Sequence, residues 1–174
     1  MVTEGVYKVI GGGNTLLHFL VNSKKEVATH LHPEELKPEV DKFLNWFQSK
    51  MRPETQRLVR LIVPAKVLGG APTSAEDKQK QRETLFGSRG ILNILDKQLE
   101  STHGFVCGKS MTIVDVLFYC EISTILSLSH GKTDLGADNH ALNTWFHTMK
   151  ATKGMAALDG ELSDIVTKFD LAEK

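Results

Sequence analysis

Apolar positions recur with a helical period over most of the chain. From Pro38 they fall at Val40, Phe43, Leu44, Phe47 and Met51, the i, i+3, i+4, i+7 spacing of one buried face. Pro53 removes a backbone donor and is expected to kink or divide that helix. Leu58, Leu61, Ile62 and Ala65 continue an apolar face towards Gly69-Gly70. Ser74 with Asp77 three residues later predicts a capped start, and the KQKQRE run after it predicts a solvated face. Leu85, Leu92, Leu95 and Leu99 form a further stripe, with Gly87 and Gly90 inside it placed to allow close approach of a neighbour.

Residues 112–128 are apolar on nearly all sides, which places that helix at the centre of a core. Residues 140–151 read as an amphipathic helix carrying Leu142, Trp145, Phe146 and Met149, and the tail from Met155 as two short helices broken near Gly160. Near the start, GVYKVI (residues 5–10) reads as one short strand ended by Gly11, Gly12 and Gly13. Asn14 can cap a short helix bearing Leu16, Leu17, Phe19 and Leu20 up to Ser23. Residues 24–35 read as a linker. The expected fold class is all-α: a bundle around one very apolar helix.

The start of that central helix carries the most specific local pattern. Thr112 and Asp115 stand three apart just before the apolar run, a shortened capping box, with Met111 and Val116 as a hydrophobic staple across it. A cap of this kind contributes roughly 0.5–2 kcal/mol, so Asp115 is expected to be architectural and not a catalytic acid.

Composition narrows the remaining choices. Apolar residues make up 41% and charged residues 24% of the 174-residue chain, as in a globular domain. Its 21 basic and 21 acidic side chains cancel, so no charge excess points to nucleic acid. No apolar run reaches the length of a transmembrane segment. MVTEGVYKVIGGG has neither signal-peptide nor transit-peptide character, which favours the cytoplasm and leaves a mitochondrial location by an internal signal open. Cys107 and Cys120 are too few for a disulfide framework and read as small core residues. His30 and His32 form a His-x-His pair with no further ligand cluster, so no metal site is expected.

GKSMTIVDVLFY resembles the segment that starts the central helix in the C-terminal domain of glutathione transferases. VDKFLNWFQSKMRP is similar to the first long helix of theta-class members, and ILNILDKQLESTHGFVCGKS and NHALNTWFHTMKA match later helices in order and spacing. The resemblance covers roughly residues 14–158. It implies a helical domain over residues 33–174, preceded at 1–23 by the end of a thioredoxin-like domain. Family members bind glutathione in that first domain, on an acidic-Ser pair at a helix N-terminus. Here the matching place falls at Gly12-Gly13 or Gly13-Asn14, which offer no carboxylate and hydroxyl. Most of the thioredoxin-like domain is therefore expected to be missing, and with it the catalytic and cofactor-binding residues.

The leading expectation is a non-catalytic domain that needs no cofactor and serves as an interaction subunit, its partners being other proteins of a larger complex or a second copy of itself. Two rivals stand beside it. One is a glutathione-dependent transferase completed by another chain. The other is a carrier of hydrophobic ligands, with an apolar cleft at Phe43, Trp46 and Phe47, residues that equally suit a core.

Overall fold

A computed structural model describes residues 2–3, 6–7, 23–63, 67, 73–130, 135 and 139–171. Two short strands, β1 (Val2–Thr3) and β2 (Val6–Tyr7), pair antiparallel with Val2 opposite Tyr7 and Thr3 opposite Val6. Within the expected strand, residues 6–7 are therefore extended. The helix expected from Asn14 lies outside the described residues.

The segment read as a linker contains a helix, α1 (Lys25–Leu31), followed by a 3-10 turn at Glu34–Leu36. Seven residues are too few to hold a helix alone. Val27 and Leu31, one turn apart, pack against the main core and supply what propensity does not. The helix stops because His32 precedes Pro33, which disfavours helical backbone at the residue before it.

The long helix forms as expected, but Pro53 does not break it. Helix α2 (Lys37–Trp46) passes through a π turn, Phe47–Met51, into α3 (Arg52–Ile62). The Arg52 N–H reaches back five residues to the Phe47 carbonyl. The wider turn lies directly before the proline, where a missing donor and a bulky ring would strain an ordinary α turn. Helix α3 ends earlier than the periodicity suggested, since Val63 is extended (φ −61°, ψ 128°) ahead of Pro64.

Ser74 caps α4 (Ala75–Phe86), its hydroxyl accepting the Asp77 N–H at 3.0 Å. Gln81, inside the run expected to be solvated, is buried, and its amide donates to the Glu54 carbonyl at 3.1 Å and carboxylate at 2.8 Å. The stripe from Leu85 to Leu99 is divided between α4 and α5 (Ile91–Thr102). Gly87 and Gly90 make the corner: a Cβ on Gly90 would lie 2.5 Å from the Leu85 carbonyl oxygen. The close approach is thus to the chain's own preceding turn.

The central helix is α6 (Ile113–Ser129), followed by α7 (His140–Ala151) and α8 (Met155–Lys168). Helix α8 runs unbroken through Gly160, against expectation. Mid-helix glycine costs about 1 kcal/mol relative to alanine; buried Met155 and Val166 and the bonds of Asp159 hold the helix across it. The turn is made instead by Gly154, whose φ of 96° suits glycine.

Helix α6 joins two apolar clusters. Val114, Phe118, Tyr119 and Ile122 belong to the larger, with the buried faces of α2, α5 and α7. Ile125 and Leu128 belong to the smaller, with Leu58, Ile62, Leu85 and Val166. Among the described residues, no helix is long and apolar enough to cross a membrane.

Candidate functional site

The side chains capable of chemistry gather along α6. At its start the Thr112–Asp115 box is present. Asp115 Oδ2 accepts the Thr112 N–H at 2.8 Å and the Thr112 hydroxyl at 3.0 Å. The other oxygen, Oδ1, accepts the Val106 N–H at 2.9 Å and the indole N–H of Trp145 at 3.0 Å. One fully buried carboxylate thus joins the helix start, the loop before it and α7. Burial pushes its pKa up from the ordinary range, while the N–H groups of Val106 and Thr112, the indole and the Thr112 hydroxyl pull it back. Met111 and Val116 are both half-buried and packed against the main cluster.

The thiol of Cys107 sits next to this cap. It is buried, and desolvation pushes its pKa up to about 12 against a weaker opposing bond with Thr112. Such a thiol is neutral at physiological pH and a poor nucleophile. Cys120 is half-buried rather than core, with its pKa raised by burial and then by Asp159 and Glu121.

Halfway along α6, Tyr119 donates to Asp159 Oδ2 at 2.6 Å and Ser123 to Asp159 Oδ1 at 3.0 Å. Burial and the bond to Asp159 raise the Tyr119 pKa to about 12, so the phenol keeps its proton. This clasp ties α8 to α6. On another side Glu121 accepts from Thr55 and lies 3.5 Å from the Arg52 guanidinium, tying α6 to α3. Arg52 also lies over the Phe47 ring, 5.8 Å from its centroid.

Phe43, Trp46 and Phe47 do come together, as part of the main core. Phe47 is fully buried, with its ring stacked 5.5 Å from Phe118; Trp46 lies 5.8 Å from the same ring. Among the described residues, open spaces lie elsewhere. A groove of about 610 Å³ between α3 and α6 is lined by Arg52, Gln56, Arg60, Glu121 and Thr124. Another of about 550 Å³ lies between the end of α5 and α7, beside His103, Phe105, His140 and Trp145. A smaller cavity of about 160 Å³ lies between α6 and α8, against Tyr119, Cys120, Leu158 and Leu162.

The two histidines of the His-x-His pair diverge: His30 is exposed in the last turn of α1, whereas His32 is buried with Nε2 3.9 Å from Asp41 Oδ1. Among the described residues, no group of three or more His, Cys, Asp or Glu side chains could hold a metal ion.

Val106, Trp145, Asp159 and Glu121 were not legible as partners. Trp145 alone carried a signal, since a buried indole N–H seeks an acceptor. The acceptor itself lies 30 residues away.

A family model for the glutathione S-transferase C-terminal domain matches residues 50–152, a span reaching from the π turn to the end of α7. No curated protein gives a significant match. More than half of the chain is covered by that one family, and the Asp115 cap lies inside the matched span: the chain belongs to the glutathione S-transferase C-terminal domain family.

Proposed function

We propose that this chain is a non-catalytic transferase-type helical domain that works as a protein-interaction subunit of a larger assembly. One observation carries the proposal: the acid and the thiol at the start of the central helix, and the phenol halfway along it, are all engaged in architecture. Asp115 receives four donors, Cys107 is a buried neutral thiol, and the Tyr119 hydroxyl is bound to Asp159. Activating a thiol nucleophile takes a positioned donor and a cradle for the tripeptide. At the place where the resemblance puts that cradle, the sequence has Gly12, Gly13 and Asn14.

The surface supports the interaction half of the proposal. Ile94, Leu158, Ile165 and Phe169 are each 43–56% exposed, large apolar side chains of the kind that partners cover.

Two measurements test it. Native purification in mild salt is expected to return the chain in a complex of higher mass than its own 19.3 kDa; a stable monomer argues against the proposal. Saturable binding to glutathione with turnover of a generic electrophile would overturn it in favour of a transferase.

A further inference from the structure

Helix α8 has two apolar faces. Met155 and Val166 are buried, and Leu162 packs on the second cluster. Beside this face runs a stripe of Leu158, Leu162 and Ile165, continued by Phe169 at the C-cap of the helix; Leu158, Ile165 and Phe169 are 43%, 48% and 56% exposed. The intervals are four, three and four residues, the spacing of a coiled-coil seam.

The stripe is also its own reverse. Turned about the point between Ser163 and Asp164, Leu158 falls on Phe169 and Leu162 on Ile165. Glu161 and Lys168 are both exposed along the outer edge of the stripe, one on each side of that point. In an antiparallel pair of such helices the acid of one copy lies near the lysine of the other, twice by symmetry.

A second, independent feature lies at one end of the stripe. The cavity between α6 and α8 is bounded by Leu158 and Leu162, and its volume of about 160 Å³ is of the size that accepts a benzene ring. The reversal brings the phenyl group of Phe169 to Leu158, at the mouth of that cavity. Within one copy, the Lys168 ammonium lies over the Phe169 ring, 5.5 Å from the centroid, and Phe169 remains exposed.

We infer that α8 is a self-recognition helix: two copies of this chain pair antiparallel along Leu158, Leu162, Ile165 and Phe169, each seating its Phe169 ring in the other's α6–α8 cavity. The inference rests on the interaction function proposed above and gives it one partner, a second copy. The seam is about three turns long, which puts it among small, reversible interfaces with a dissociation constant on the order of 10 μM.

Sedimentation equilibrium of the full chain at concentrations up to about ten times that value tests the seam. The expected result is a reversible dimer of twice 19.3 kDa. Ile165→Asp is expected to give a monomer with an unchanged helical circular dichroism spectrum, and Phe169→Ala to weaken pairing at least tenfold. Glu161→Lys and Lys168→Glu should each weaken it about tenfold, and the double exchange should return it to within about threefold of the original.

A monomeric wild-type chain overturns the inference. So does a dimer that ignores both Ile165→Asp and the charge reversals, or one in which the double exchange is worse than either single change. A wild-type monomer that has no affinity for glutathione and copurifies with another protein breaks the seam and leaves the interaction function. Glutathione turnover by a chain that still pairs through α8 breaks that function and leaves the seam.

Discussion

The start of α6 and its middle are each held by one carboxylate, and the two differ in burial and in reach. Asp115 is fully buried and takes three of its four donors from Val106 and Thr112, within nine residues of itself. Asp159 is half-buried and takes its donors from 36 and 40 residues away. The chemistry is the same: hydroxyl or N–H groups donating to an oxygen pair. Removing a buried acceptor strands several desolvated donors at once, whereas removing a half-buried one lets water replace it. The cap should therefore dominate stability, and the clasp should mainly fix where α8 sits.

The largest effect expected from breaking this contrast is that of Asp115→Ala. It leaves Thr112, Val106 and Trp145 without their acceptor in the core and should lower unfolding free energy by about 3–5 kcal/mol, read from urea denaturation. A loss below 1 kcal/mol would show that the cap is dispensable.

Next comes the thiol beside the cap. Raising the Cys107 pKa from 9.0 to about 12 lowers the thiolate fraction near neutral pH by about a thousandfold. Labelling by a disulfide reagent at pH 8 should be slow for Cys107 in the folded protein and fast in denaturant, with a Cys120→Ser variant isolating the signal. The linkage has a definite sign. The folded pKa is the higher one, so this contribution to stability is complete below pH 9 and is lost as pH rises from 9 towards 12.

A smaller effect is expected at the clasp. Asp159→Ala removes two bonds at a half-buried site and should cost about 1–2 kcal/mol, with α8 amides losing more hydrogen-exchange protection than those of α5. Uniform loss of protection would mean that the clasp supports the core as much as the cap does. Smallest, and of opposite sign, is Gly160→Ala. Among the described residues, no heavy atom outside its own helix and chain neighbours lies within 4 Å of a Cβ added there, so the change should stabilise α8 by about 0.5–1 kcal/mol in thermal melts.

These comparisons explain which parts of the molecule were legible. The helices at Lys37–Met51, Ile113–Ser129 and His140–Ala151 follow from apolar spacing, since a face that must be buried repeats with the helix. The caps at Ser74 and Thr112 follow because a cap is completed within three residues. Errors fell where a local signal met a longer-range one. Gly160 weakens a helix locally, and packing against α6 keeps it whole. Helix α1 has little intrinsic strength, and two side chains docked on the core form it. In both cases tertiary burial outweighed propensity.

By itself the sequence determined the all-α class, the central place of residues 113–129, the cap at Asp115 and the family resemblance, because each depends on residues close together in the chain. Only the tertiary structure decided that Trp145 completes the cap, that Asp159 clasps α8, that Glu121 braces α3, and that Phe43, Trp46 and Phe47 pack into core around Phe118. Those pairings depend on where distant helices meet, and helix crossing is set by how whole side-chain surfaces interlock.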